Sequence, residues 1–408
     1  MIMVLRHMLT AAIMLLLVSS CNASERETVT PPSGPHASIA ETLAGLAPNH
    51  AIRLGNARVV GDFNDVARRF KLDKTGPMAR DYSIKMVWAP ERQRALFAGA
   101  NHGRPHRLND VWEFDLGTLT WFLLYAPDNP RNYAGLGTDP SDALFKDGIL
   151  ITERGGPVVI GHSWWGITWD ENRRELFFMS TWDTNQAKAI KELNGDPGER
   201  YVGPPLWSFN PRTLQWRFHK SQPPLPRAPF GGMLEYVPEL SGVVWHTNHW
   251  QMLATWLYNP QTMQWDNLRA NADTGDFKTQ SPKTEQVGYY DPTRKVIIAQ
   301  RGHDTFQFDV RDRSWSRILT RPEREEQWPS GHDAFAPMYR DPQTGHGLLV
   351  DFRTNEIWAY DPKLNWWTKI SPEGERMPEG NKRLAYFDVT RGVLVIIDGV
   401  EVWAYRYQ

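Results

Sequence analysis

The chain has 408 residues, 41% of them apolar, and a formal net charge of -1. That supplies a large core. The near-neutral balance excludes a bulk electrostatic interaction with nucleic acid, which needs many cationic side chains facing phosphates.

Nineteen Trp and thirteen Tyr beside thirty Pro and thirty-one Gly fit many short aromatic strands joined by tight turns. The first twenty residues read as an export signal. Arg6 and His7 precede an apolar run from Met8 to Val18, and small residues follow. The run is too short for a comfortable transmembrane helix. Its end, Leu17-Val18-Ser19-Ser20-Cys21, resembles the lipobox of bacterial lipoproteins, which implies a signal peptide over residues 1–20 and acylation of Cys21. Cys21 is the sole cysteine, so the rest of the chain has neither disulfides nor thiol catalysis. Multiple acyl chains anchor stably where one is marginal. Asn22 stands where the enterobacterial pattern places an inner-membrane Asp, so the resemblance implies attachment in the cell envelope at the outer membrane.

Residues 21–36 are polar and Pro-rich, which predicts a flexible tether. Residues 37–81 form a lead-in, with a short helix from Ala37 to Ala47 and a strand from Ala57 to Phe63 that has no hairpin partner nearby in sequence. From Tyr82 to the end, each unit pairs a first hairpin with a second that carries a signature. In the second hairpin an aromatic residue precedes Asp or Asn, and a Trp follows six residues later: Asp115 with Trp121, Asn210 with Trp216, Asn259 with Trp265, Asp309 with Trp315, Asp361 with Trp367. A sixth copy, Val402-Trp403-Ala404-Tyr405, reaches the C-terminus before its turn. After a doubled first interval the copies recur about every 50 residues, a spacing expected of four-stranded propeller blades.

Over roughly residues 80–408 these units resemble the kelch family, whose blades end their first hairpin in glycine and carry an aromatic–Asp…Trp second hairpin. A Gly-Gly pair is expected there, and only Gly99, Gly302 and Gly399 occupy related places. The resemblance implies an all-β, kelch-type β-propeller of six four-stranded blades. The doubled interval leaves room for a seventh in residues 128–161, where Gly148–Thr152 with Pro157–Ile160 offers at most one hairpin and no signature Trp. The sixth unit lacks its outer strand, which the orphan strand at Ala57 to Phe63 is expected to supply, closing the ring.

In an up-and-down blade the connections between strands two and three, and between one blade and the next, share one face. That face carries both large insertions, 128–161 and 183–204, and long loops on a rigid scaffold are where binding collects. It also receives His102, His106, His162, His246, His249, His303 and His332, together with Arg301, Arg353, Lys382 and Arg383. His346 falls in an opposite-face turn and His219 within a strand. His246 and His249 are three apart, a spacing that leaves a metal open, although no second carboxylate ligand or His-Glu-x-x-His pattern accompanies them. No other cofactor is implied. Copper-radical oxidation of the galactose-oxidase type needs a Tyr–Cys crosslink, and the one Cys is assigned to the lipid.

The remaining chemistry is acid–base work on an acidic, uronate-containing polysaccharide by β-elimination. A cation neutralises the carboxylate, one group abstracts the adjacent proton, and another protonates the leaving oxygen. Candidates for proton transfer are His162, His102, His246 and Tyr201, with Tyr133 and His303 beside them. Candidates for substrate binding are Arg301, His303, His332, Arg353, Trp165 and His249, with Trp164 as a further stacking surface. Two other readings use the same face: a non-catalytic glycan- or protein-binding lipoprotein, and a sugar enzyme resembling the six-bladed sialate mutarotases.

Overall fold

The computed structural model describes residues 37–408 except 79, 100–107, 131–135, 137–139, 159–160, 180–185, 204–205, 227–230, 250–251, 323–327, 378–379 and 381–382. Six four-stranded antiparallel blades form a β-propeller. Blade one consists of Val87–Ala89, Arg94–Ala98, Val111–Asp115 and Thr120–Tyr125. Blade two is Ile167–Asp170, Glu175–Met179, Leu206–Asn210 and Gln215–Phe218, and blade three is Met233–Val237, Gly242–His249, Met252–Asn259 and Gln264–Asn267. Blade four is Val287–Asp291, Val296–Arg301, Asp304–Asp309 and Ser314–Ile318, and blade five is Met338–Arg340, Gly347–Asp351, Glu356–Asp361 and Trp366–Ile370. Blade six takes Arg383–Asp388, Val393–Asp398 and Glu401–Arg406 from the C-terminus.

The recurring signature is a turn and a cross-strand ring pair. At the end of the third strand in blades one to five the Asp or Asn carboxyl or amide oxygen accepts backbone N–H groups of the turn. Asn210 accepts from Arg212 and Thr213, Asn259 from Gln261 and Thr262, Asp309 from Arg311 and Asp312, and Asp361 from Lys363 and Leu364. Such a side chain closes the turn locally. Across the hairpin the signature Trp faces the aromatic residue before the Asp or Asn. Phe114 meets Trp121, Phe209 meets Trp216, Tyr258 meets Trp265, Phe308 meets Trp315 and Tyr360 meets Trp367, with ring centroids between 4.8 and 5.3 Å apart. Two of these indoles also tie blades together, since Trp315 Nε1 donates to Thr255 Oγ1 at 2.9 Å and Trp367 Nε1 to Thr305 Oγ1 at 3.0 Å.

Ring closure uses the N-terminal segment, with a shift from the expected strand. His50–Asn56 pairs antiparallel with Glu401–Arg406 and becomes the fourth strand of blade six. The strand expected at Ala57 to Phe63 exists as Arg58–Gly61, but it runs parallel to Thr120–Tyr125 on the outside of blade one. The lead-in therefore clasps the last blade to the first. An exposed Thr120–Tyr125 edge offers the same unpaired backbone groups as the blade six edge, so hydrophobic alternation alone does not distinguish the two partners.

The doubled interval holds no seventh blade among the described residues. Ala143–Lys146 pairs with Ile149–Thr152 as a two-stranded sheet, and of the expected pairing of Gly148–Thr152 with Pro157–Ile160 the described residues keep the single antiparallel bridge Ile151–Pro157. Leu136, Ala143, Leu150 and Val158 bury themselves against Ala189 and Ile190 of the helix Gln186–Glu192. The two insertions thus form a small satellite core of their own.

The first strands converge on the ring axis, and one residue from each blade meets in a layer there. Lys85 bridges Ala385, Trp165 bridges Met233 and donates from Nε1 to Gly288 O at 2.7 Å, and Tyr339 OH bonds Ala385 O at 2.5 Å. Lys85 Nζ reaches Glu235 Oε1 at 2.7 Å and lies 4.8 Å from the Trp165 ring centroid. Trp165 and Tyr339 have ring centroids 5.7 Å apart. Lys85, Trp165, Glu235 and Tyr339 are all buried, so this layer divides the channel into two mouths. Among the described residues, no helix is long and apolar enough to cross a membrane.

Candidate functional site

Three loops entering blades carry bulky residues in left-handed backbone: Tyr82 at φ 54°, Trp164 at 43° and Glu285 at 68°. L-residues adopt this region at a cost, and such strain concentrates at functional sites. Most other non-glycine residues with positive φ close hairpin turns, as Leu119, Leu214, Met263, Arg313 and Asn365 do. The local scaffold over-determines the strained loops. Trp164 N donates to Tyr82 O at 2.6 Å, and Ser163 N donates to Ser83 Oγ at 2.9 Å. Ahead of Tyr82, the buried Arg80 grips both oxygens of Asp110 at 2.9 and 2.6 Å. Glu285 N donates to Gly231 O at 2.8 Å.

On the long-loop mouth these loops bring side chains from four blades into one contact chain. Tyr82 stacks on the buried ring of His162 with centroids 5.2 Å apart, and Trp164, also buried, packs edge-on to His162 at 4.9 Å. Tyr82 also meets His332 at 6.3 Å. His332 stacks on Phe335 at 4.6 Å, and the Arg353 guanidinium sits 3.5 Å from the centroid of the Phe335 ring. His332 Nε2 is 3.4 Å from Glu285 Oε2, which Arg301 Nη2 reaches at 2.8 Å.

The electrostatics follow from this packing. His332 Nδ1 accepts Ala334 N–H at 3.1 Å, so the neutral ring carries its proton on Nε2, toward Glu285. The bond to His332 holds the Glu285 carboxyl below its ordinary value, and Arg301 acts the same way. Asp333 is wholly buried with Oδ1 3.4 Å from His332 Nδ1, and burial, followed by the charge of Glu285, pushes its carboxyl well up. That shift favours the protonated form of the Asp333 carboxyl. Burial raises the Tyr82 phenol, and Glu285, Asp333 and Asp81 add to the rise. Tyr82 is consequently held as a neutral proton donor.

The structure therefore brings His162, His332, Arg301 and Arg353 together and separates the other candidates from them. His246 lies within the second strand of blade three, not in a loop, because that hairpin stays paired as far as His249 opposite Met252. It is wholly buried, with Nδ1 on Thr255 Oγ1 and Nε2 on Pro282 O, both at 3.0 Å. Burial lowers it to about 3. His249 is three residues further along the same strand, and the alternation of a strand points the two rings to opposite faces. Among the described residues, no three His, Cys, Asp or Glu gather to hold a metal.

Trp165 belongs to the buried axial layer, where it cannot present a face to a sugar. Tyr201 packs edge-on against Phe218 of blade two's outermost strand, and its oxygen accepts Ser221 N–H at 3.2 Å. That position is away from the axis. His303 is exposed in its turn with Nδ1 3.2 Å from Pro329 O. Arg383 is fully buried in the first strand of blade six. His102, His106, Tyr133, Lys382 and Cys21 lie outside the described residues.

Tyr82, Glu285, Asp333 and Phe335 were not singled out from the sequence. A signal for two of them exists, since Tyr82 and Asp333 stand five residues ahead of Val87 and Met338, as His162 stands ahead of Ile167. Residues at one offset before successive first strands fall around one rim. A scan against models of protein families gives no match, and a search among curated proteins gives none either, so the chemistry of this mouth rests on its own residues.

Proposed function

We propose that the long-loop mouth binds an acidic, uronate-containing saccharide and cleaves it by β-elimination. The observation that carries this reading is the Tyr82–His162–His332 cluster on strained loops, joined at His332 to Arg301 through Glu285 and to Arg353 through Phe335. A sugar carboxylate takes Arg301, sharing it with Glu285, while the half-buried ring of Tyr82 offers stacking surface. His162 removes the proton on the carbon bearing the carboxylate. The adjacent C–O bond breaks, a C=C bond forms, and Tyr82 protonates the departing oxygen. The proton taken by His162 returns to Tyr82 through solvent, so the pair ends unchanged. No water or redox partner is consumed. In this reading His332 positions Tyr82 and fixes Glu285 rather than acting as the base.

We also propose that the chain is attached to the cell envelope by acylated Cys21, on the strength of the lipobox and the absence of any other cysteine. The test of the enzyme reading is the ultraviolet absorbance of an unsaturated uronate, followed with a panel of purified acidic polysaccharides. Tyr82→Phe keeps the stack and removes the proton donor, so turnover should fall at least about a hundredfold with binding within about threefold. Saturable binding without any absorbance change would replace the enzyme by a capture protein. Full turnover in Tyr82→Phe would remove Tyr82 from the mechanism.

A further inference from the structure

The axial layer closes the floor of a second cavity, of about 320 Å³, which opens toward the short-loop face. Its walls are the C-terminal halves of the first strands of blades one to five. Trp88, Trp169, Tyr236 and Tyr290 supply aromatic surface, and the floor carries the buried Lys85–Glu235 pair. Lys85 is already spent on Glu235 and on the ring of Trp165. At the rim stands Glu171, with Glu91 and Glu239 in the neighbouring turns. Tyr290 OH donates to Glu239 Oε2, fixing one of these carboxylates against the wall.

Three arginines at the same end of the blades are held by carboxylates outside the pocket lining, while Arg174, Arg294 and Lys295 are exposed in the turns. Arg92 is bound to Glu113, Arg173 to Asp170 at 3.0 Å and Arg340 to Asp291 at 3.2 Å. Among the described residues, Glu91 and Glu171 have no ion-pair partner. The local excess of negative charge is visible in Glu171, whose carboxyl is raised by burial and then by repulsion from Glu91 and Asp170. Aromatic faces combined with carboxylates outside any ion pair match a cation whose charge is spread over an apolar shell. Aromatic walls offer no oxygen ligands to a hard metal ion, so an organic cation fits them better.

We propose that the short-loop mouth of the channel is a second ligand site, separate from the His-rich mouth, that takes an organic ammonium group between Trp88, Trp169, Tyr236 and Tyr290 and against Glu171. The site does not rest on the saccharide reading, because the Lys85–Trp165–Glu235 layer lies between the two mouths. An ammonium ion seated there favours ionised Glu171, so binding strengthens as pH rises through the titration of that carboxyl.

The test is calorimetric titration of the full-length protein with tetramethylammonium chloride. Tert-butyl alcohol serves as a neutral probe of nearly the same shape, at matched ionic strength. Saturable one-to-one binding of the cation without comparable binding of the alcohol is expected. Glu171→Gln, at an exposed position, and Tyr290→Leu, at the wall, should each weaken it roughly five- to thirtyfold. Asp273→Asn, in a loop of the opposite face, should leave it unchanged. Equal binding of cation and alcohol would overturn the proposal, as would cation binding that is absent or that survives both pocket substitutions in variants with unaltered thermal unfolding.

Discussion

A histidine's role depends on what its two ring nitrogens meet, and this chain separates its histidines sharply on that basis. His219 bonds Tyr258 OH and Ser208 Oγ, both at 2.8 Å, while His246 bonds Thr255 and Pro282. Burial lowers both to about 3, with Arg217 and Arg173 adding to the effect at His219. In the unfolded chain each would take a proton near pH 6.5. Between pH 6.5 and 3 the unfolded state therefore binds more protons, and stability falls as pH falls, by about 1.4 kcal/mol per pH unit for each ring. Above pH 6.5 neither ring contributes a further slope. Urea midpoints measured at pH 7 and pH 5 should thus lie far apart in the wild type and closer together in His246→Gln, and equal gaps would show that His246 is not held neutral. The sequence placed His162 and His332 on the correct rim, since loop position needs only topology. It could not separate them from His246, because strand pairing that continues past Trp245 to His249 turns an expected loop residue into a strand residue bonded at both ring nitrogens.

At the scale of single elements, the blades were legible because their signature has a local cause. The Asp or Asn closes the turn, and the Trp is fixed opposite an aromatic residue by the antiparallel register. The closing strand was less legible. His50–Asn56 and Arg58–Gly61 are both short and only partly buried, and each finds its partner some hundreds or tens of residues away. Nothing local assigns one to blade six and the other to blade one. Deleting residues 50–56 removes the fourth strand of blade six and buried Ala51, and exposes the Glu401–Arg406 edge. Thermal unfolding should fall by more than about 10 °C or give way to aggregation, since several kcal/mol of ladder and burial are lost and each kcal/mol moves a chain of this size by a few degrees. An unchanged melting curve would mean that the ring closes without this strand.

The whole molecule presents two mouths of opposite character on one axis. One gathers aromatic, imidazole and guanidinium groups over strained loops, and the other gathers aromatic walls and carboxylates. Composition hid this division, because a net charge of -1 averages over both faces. Anchoring belongs to this scale as well. If Cys21 carries the acyl chains, Cys21→Ala should move the protein from the membrane to the soluble fraction, and a variant that stays membrane-bound would place the attachment elsewhere.

The most direct measurement compares the affinity of uronate oligosaccharides for Arg301→Ala and for Arg294→Ala, an exposed arginine of the short-loop face bonded to Gln307. A charge-assisted hydrogen bond contributes about 1.5–3 kcal/mol, so Arg301→Ala should weaken binding roughly ten- to a hundredfold while Arg294→Ala binds as the wild type does. Equal losses in the two variants, or no loss in either, would contradict a saccharide site on the long-loop mouth.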